Sequence, residues 1–225
     1  MNSSNGGPKA FGAFDATWIM TSSIIIFTMQ TGFGVGLRQP KERGEYHDEK
    51  CRWCHPGGTH WMFGYAVQYG NEKGNPFWGT GTFFDDDDVQ SMGEKFSTFI
   101  FQLLFATTAT TIVSGAMAER TNYNAYCLFS LTNTTVYCVP AGWVWGAHGF
   151  LKKLGAIDYA GILVYRVVRF RLHLLGEVSA LVAAMILGPR RNRYDEGYAP
   201  PVGHPINVIQ GTFFLWLIAL KHCIA

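Results

Sequence analysis

The sequence predicts an all-α fold, a polytopic bundle of transmembrane helices, and two observations carry that prediction. First, three long stretches hold no charged residue: Ala16 to Leu37, Phe96 to Ala118 and Thr121 to Leu151. A helix needs roughly 20 apolar residues to cross about 30 Å of hydrocarbon, and each stretch is long enough. Second, the 16 acidic and 18 basic side chains crowd mostly into 38–58, 70–96 and 189–198. The averages hide this segregation, because 15% charged residues and a mean hydropathy of +0.07 would suit a soluble domain. Helices buried in a soluble core are usually interrupted by a polar face; these stretches are not.

Six spans follow in order, within one membrane domain over 1–225. The first covers 14–37; it starts too late and lacks a basic leading segment, so a cleaved signal peptide is a poor reading. The second, 59–70, is short and damaged. The third covers 96–118, the fourth 122–146, the fifth 172–188 and the sixth 205–220. The second and third are joined by a loop with Asn75-Pro76 and Asp85-Asp86-Asp87-Asp88, the fifth and sixth by Pro189-Arg190-Arg191-Asn192-Arg193. Cytoplasmic loops are rich in Lys and Arg. Arg38, Lys41 and Arg43 follow the first span, Arg120 the third, and Arg190, Arg191 and Arg193 the fifth, so the N-terminus is expected outside the cell. Lys152 and Lys153 are exceptions on the outer side.

The spans are rich in small and hydroxyl residues: Thr107, Thr108, Thr110, Thr111, Ser114 and Gly115 in the third, Thr17, Thr21, Ser22, Ser23, Thr28, Thr31 and Gly32 in the first. Such residues let helices approach closely and hydrogen-bond across the interface; a polar conduit is the sharper alternative. Five cysteines make an odd count, with Cys127 and Cys138 inside a span, so no disulfide framework is expected. A net charge of +2 and the lack of a basic stripe interleaved with aromatics give no sign of a nucleic-acid partner.

An ionisable group at membrane depth is costly and is a functional candidate by default. His173 opens the fifth span, with Asp158 just before it. A neutral imidazole donates or accepts a hydrogen bond without carrying charge, which suits passage of a small polar molecule; a wetted position near the interface is the plainer reading. Phe101 and Phe105 are spaced i, i+4 and share a helix face. Trp143 and Trp145 lie near the end of the fourth span, where an aromatic belt accounts for them without function. A cation–π site is the alternative, at about 0.5–2 kcal/mol per ring.

These residues lie in stretches that resemble the ammonium transporter (Amt/Rh) family, particularly its animal Amt branch. Asp15-Ala-Thr-Trp18 and Phe27-Thr-Met-Gln-Thr-Gly-Phe-Gly34 resemble its first helix, and Trp61-Met-Phe-Gly-Tyr65 the end of its second. The run from Phe101 to Arg120 is very close to its third and is the most specific. Trp143-Val-Trp-Gly146, Leu154 to Gly161, His173-Leu-Leu-Gly176 and Ile186-Leu-Gly-Pro-Arg190 continue in the right order. The resemblance implies ammonium transport: an outer vestibule of rings holds the ion, the ion sheds its proton, and a hydrophobic pore lined by histidines passes the neutral species. It implies that Trp145 is the vestibule tryptophan with Phe101 nearby, that Phe105 is one of two gate phenylalanines, that Asp158 is the buried aspartate supporting recruitment and that His173 is the first pore histidine. It further implies ammonium or ammonia as ligand with methylammonium as analogue, a homotrimer in the lipid bilayer of the cell membrane, no cofactor and no enzymatic activity.

The chain departs from that pattern in four places. Residues 35–57 cannot cross a bilayer where the family has an apolar second helix; a shifted reading frame that recovers is the simplest account. Residues 162–172 hold Arg166, Arg169 and Arg171 where the family has about four small residues, as retained intron sequence would. Glu177 stands where the family usually has glycine. The sixth-helix pattern is lost after Trp216. The family fold has eleven spans built as an inverted repeat, so the chain is expected to be a truncated form without the second pore histidine and second gate phenylalanine. A non-conducting ammonium sensor or accessory subunit is therefore the alternative. Cys51-Arg-Trp-Cys-His55 has the CxxCH spacing of haem attachment and, with His47, His55 or His60, could suggest zinc; it reads as an accident of the damaged segment. Asn2-Ser-Ser4 is a plausible outward glycosylation sequon, whereas Asn133-Thr-Thr135 lies in a span where glycosylation is not expected.

Overall fold

The computed structural model describes residues 12–36, 57–70, 75–81, 83, 89–117, 120–155, 167–189, 194 and 205–224. The chain folds as a helical bundle. Helix α1 is Ala13–Gly36. Helix α2 is a π-helical segment, His60–Gly64, running directly into an α-helical one, Tyr65–Tyr69. Then come α3 (Val89–Met117), α4 (Tyr123–Trp145), the single turn α5 (Phe150–Lys153), α6 (Val167–Leu187) and α7 (Pro205–Ile224). Among the described residues there is no β-strand, and an isolated bridge pairs Asn75 with Trp78.

The ends have local causes. Asp15 in the first turn of α1 accepts a hydrogen bond from Gly12 N at 3.0 Å, and its charge complements the positive end of the helix dipole. Pro205 opens α7, where a missing N–H removes no helical bond. Helix α6 stops at Gly188, whose φ of +69° is the left-handed conformation that terminates helices. Helices α1, α2, α3, α4, α6 and α7 fall on the six segments predicted as spans, with four differences: α3 begins at Val89 rather than 96, α6 begins at Val167 rather than 172, α7 runs to Ile224 rather than 220, and α5 was not predicted. Of the described helices, Met92–Met117 is long and apolar enough to cross a membrane, with a mean hydropathy of 1.5, and His173–Leu187 is apolar but shorter.

Helix α3 is the centre. Helices α1, α4 and α6 pack on it, α7 packs on α1, and α2 packs on α4. Its hydroxyl residues make this possible. Thr107, Thr108, Thr110, Thr111 and Ser114 are all buried. Thr107 and Thr108 donate to Leu104 O at 2.9 and 2.7 Å, Thr111 to Thr108 O at 2.8 Å and Ser114 to Thr111 O at 2.6 Å. Their oxygens remain free to accept from neighbouring helices. Gln30 of α1 donates to Thr108 Oγ1 at 2.6 Å and Thr107 Oγ1 at 3.2 Å, and Asn133 of α4 donates to Thr110 Oγ1 at 3.1 Å. The threonine stripe is thus interhelical contact. Asn133, part of a sequon on paper, is buried in it. Small residues complete the approach: a Cβ on Gly176 of α6 would stand 3.0 Å from Ile112, and one on Gly32 of α1 would stand 3.1 Å from Gly211 O of α7.

The Gln30 amide is only half satisfied, because its Oε1 has no hydrogen-bond partner. Gln30→Leu removes one orphaned acceptor together with donors that the threonines do not need, since their own protons stay bonded within α3. We expect this variant to change stability by less than about 1 kcal/mol, whereas Gln30→Ala, which leaves a void, should lose more than Leu does. Equilibrium unfolding in mixed detergent would measure both; equal losses well above about 1 kcal/mol for Leu and Ala would show that the hydrogen bonds, not the volume, hold α1.

Two expectations are corrected. Cys127, read above as a thiol in a span, is disulfide-bonded, while Cys138 is a free buried thiol. His173 does not open its helix but lies inside α6, after Val167. The outward face of α6 is apolar, with Leu174, Val178, Leu181, Val182, Met185 and Ile186 exposed at helical spacing, and Glu177 is exposed on the same helix.

Candidate functional site

The aromatic site grows from α3 and α4. Phe101 and Phe105 lie one turn apart on α3 with centroids 4.7 Å apart and planes at 88°, an edge-to-face pair rather than a parallel stack. Helix α4 runs beside α3 and brings Trp145 to 6.4 Å from the Phe105 ring. The three rings belong to one cluster, in which Phe105 is 5% exposed while Phe101 and Trp145 are half-buried. Phe105 therefore closes the inner side of a site whose other two rings remain accessible. Tyr137 and Ala141 join the same cluster from α4. Tyr137 was missed in the sequence, although its place two turns before Trp145 puts it on the same face; its hydroxyl is buried without a hydrogen-bond partner.

The end of α4 that carries Trp145 is held by glycines. A Cβ on Gly142 would stand 3.0 Å from Val67 O, one on Gly146 would stand 2.5 Å from Gln68 O, and one on Gly79 would stand 2.6 Å from Ala66 O. Gly142 and Gly146 let the α2 and α4 backbones touch, and Gly79 brings the 75–80 turn onto α2, its N donating to Val67 O at 2.9 Å. Trp143, the other belt candidate, ties down the 75–80 turn: its Nε1 donates to Phe77 O at 2.6 Å, and its ring packs with Phe77 and Phe150 at 6.3 and 5.4 Å. Lys152 Nζ donates to Trp145 O at 3.4 Å, so a cation already sits on the backbone of Trp145.

The other sequence-predicted residues divide. His173 is half-buried on α6, two residues before Leu175, which packs against the aromatic cluster. Asp158 lies outside the described residues, as do 51–55. His60, weighed above as a zinc ligand, is instead buried against α4 with Nδ1 3.4 Å from Cys138 Sγ, in a gap that Gly64 keeps open. Among the described residues no three His, Cys, Asp or Glu side chains converge on a common point. Beyond this, Gln68 of α2 donates to Gln102 of α3 at 2.8 Å, a buried polar link between the two helices.

The helical bundle therefore presents two half-buried rings over a buried one, π faces of the kind that can attract a small cation. The profile of the Ammonium Transporter Family matches residues 17–218. Putative ammonium transporter 3 of Caenorhabditis elegans is 37% identical over 216 residues, covering 90% of this chain and 30% of that protein. Ammonium transporter 1 member 3 of Solanum lycopersicum is 32% identical, covering 91% and 46%. Among solved structures, a Sensor Amt Protein superposes with a TM-score of 0.76 at 27% identity, covering 92% of this chain and 53% of that one. Mep2 of Saccharomyces cerevisiae superposes with a TM-score of 0.71 at 26% identity, covering 94% and 48%. The chain belongs to the ammonium transporter family. It spans between 30% and 46% of the length of those two curated relatives and about half of the solved chains.

Proposed function

We propose that the chain carries the outer recognition site and the first part of the path of an ammonium transporter of the cell membrane, with its N-terminus outside. The observation that carries this reading is the meeting of Phe101, Phe105 and Trp145, from two helices, with only the innermost ring sealed. Ammonium is held at the half-buried rings, supported by Asp158. A bare cation is expensive in hydrocarbon, so the ion passes its proton to water at the exposed rings before the neutral molecule goes by Phe105. The neutral molecule then moves along a dry path with His173 as its first imidazole. Such passage makes and breaks no covalent bond apart from the N–H, so the protein works as a transporter and not as an enzyme. The assembled form is a homotrimer.

Uptake of radiolabelled methylammonium in cells stripped of their own ammonium transporters tests the reading. Expression of the chain should raise uptake, and Trp145→Ala should weaken apparent affinity about 2- to 30-fold, the equivalent of one cation–π contact of about 0.5–2 kcal/mol. Unchanged affinity in that variant would remove Trp145 from recognition. A second reading is a non-conducting sensor or accessory subunit, favoured by the chain spanning about half of its solved relatives. Binding of methylammonium by the purified chain with no uptake, together with crosslinking to a complete relative on coexpression, would select it.

A further inference from the structure

His148 lies in the turn between α4 and α5, and none of its surface is exposed. Neither ring nitrogen has a hydrogen-bond partner. A buried polar group is normally paired, so an unpaired imidazole here needs an explanation. Its surroundings are shaped to admit it. A Cβ on Gly142 would stand 3.2 Å from Nε2, and one on Gly146 would stand 2.7 Å from Cε1. The same two glycines touch the backbone of Val67 and Gln68, so the ring is wedged where the end of α2 meets the end of α4. Trp145 and Trp143 are carried by that end of α4, and the 75–80 turn is pinned to it through Trp143 and Phe77.

We propose that His148 is a positioning residue for the aromatic site: as a neutral imidazole it locks the end of α2 against the end of α4 and so fixes Trp145, and protonation of the ring frees both. The link to Trp145 rests on the reading of that site as the recognition site; the lock itself does not. A neutral ring tolerates the glycine slot, whereas an imidazolium there would be a buried cation with no anion. Burial lowers the imidazole pKa from its ordinary 6.5; the Gly70 backbone favours the proton without reaching hydrogen-bond geometry, and Lys153 opposes it. Lys152 adds a second cation on α5. Helix α2, helix α4 and the described part of the 75–83 segment contain no carboxylate, and ordinary tyrosines stay neutral between pH 5 and 8. Asp158 lies outside the described residues.

The sign follows from linkage. The freed ring binds a proton near pH 6.5 and the locked ring only at lower pH. The locked form is therefore favoured above about pH 6.5 and loses ground as pH falls, until the locked ring's own pKa is reached. Within that window the unlocking equilibrium rises up to about tenfold per pH unit.

Hydrogen exchange of the purified chain in lipid nanodiscs, read by mass spectrometry from pH 8 to 5 and corrected for intrinsic rates, tests this. Protection over 65–70 and 142–149 should fall progressively between pH 6.5 and 5, by at most about tenfold per pH unit, while Thr107–Thr111 in the middle of α3 stay protected. His148→Phe and His148→Asn should remove the pH dependence at both peptides. Flat protection in the unaltered chain, an equal loss at Thr107–Thr111, or the same acid loss in a folded variant would each overturn the proposal. If neither variant folds, the first two comparisons still decide. Failure of the transport reading would appear in methylammonium uptake and leave these exchange rates untouched.

Discussion

Gly146→Ala should cost the chain most of its properly folded fraction, although the change adds a single methyl group. That methyl would stand 2.5 Å from Gln68 O and 2.6 Å from Gly142 O, with His148 Cε1 at 2.7 Å. Two of the three are backbone atoms in helices, which cannot rotate aside as a side chain would. Overpacking a well-filled site typically costs about 1–3 kcal/mol, and here relief requires α2 and α4 to part where they support Trp145. Gly115→Ala is the matched control, because a Cβ there meets nothing within 4 Å, and alanine is the better helix former by roughly 1 kcal/mol. Fluorescence-detected size exclusion after a heating series would rank them: Gly115→Ala at or above the unaltered chain, Gly146→Ala well below. Equal midpoints would mean that the two helix ends are not in the contact described.

Phe105→Ala should be the most damaging change to the aromatic cluster, and it separates packing from recognition. In a membrane the hydrophobic effect does not drive helices together, because lipid tails are as apolar as side chains. The loss therefore comes from the void and not from transfer to water. Removing the ring opens on the order of 100 Å³, and about 24 cal/mol per Å³ of cavity gives about 2 kcal/mol. Phe105→Leu keeps most of the volume and should lose less than about 1.5 kcal/mol. It nevertheless deletes the π face beside Trp145 and the edge-to-face contact with Phe101. Stability near that of the unaltered chain with altered methylammonium uptake in Phe105→Leu would show that the ring acts by its electrons as well as its bulk. If Leu matches the unaltered chain in both assays while Ala loses stability, Phe105 is packing alone.

Much of this was legible in the sequence. The helices could be placed because charge and its absence divide the chain into blocks, and because the family's segments occur in linear order. The start of α3 was misjudged because Glu94 and Lys95 interrupt the apolar run while leaving the helix intact. The Phe101–Phe105 pair was also legible, since neighbours at i, i+4 on one helix are set by local geometry alone. Lys152 and Lys153, exceptions to the charge asymmetry, are seen to form the last turn of α5, with Lys152 reaching the Trp145 carbonyl.

What the sequence by itself determined is the set of long helices, the family resemblance and the Phe101–Phe105 pair on one helix face. Only the tertiary structure decided that Phe105 meets Trp145, that Tyr137 is buried beside them, that the threonines of α3 join helices, and that His148 sits in a slot between α2 and α4. The reason is physical. Helix formation and burial pattern are local properties repeated every few residues, whereas these contacts join distant segments whose separation is fixed by where a backbone lacks a Cβ. Gly142 and Gly146 look in sequence like any helix glycine, and their purpose becomes visible only when Val67 and Gln68 are brought against them.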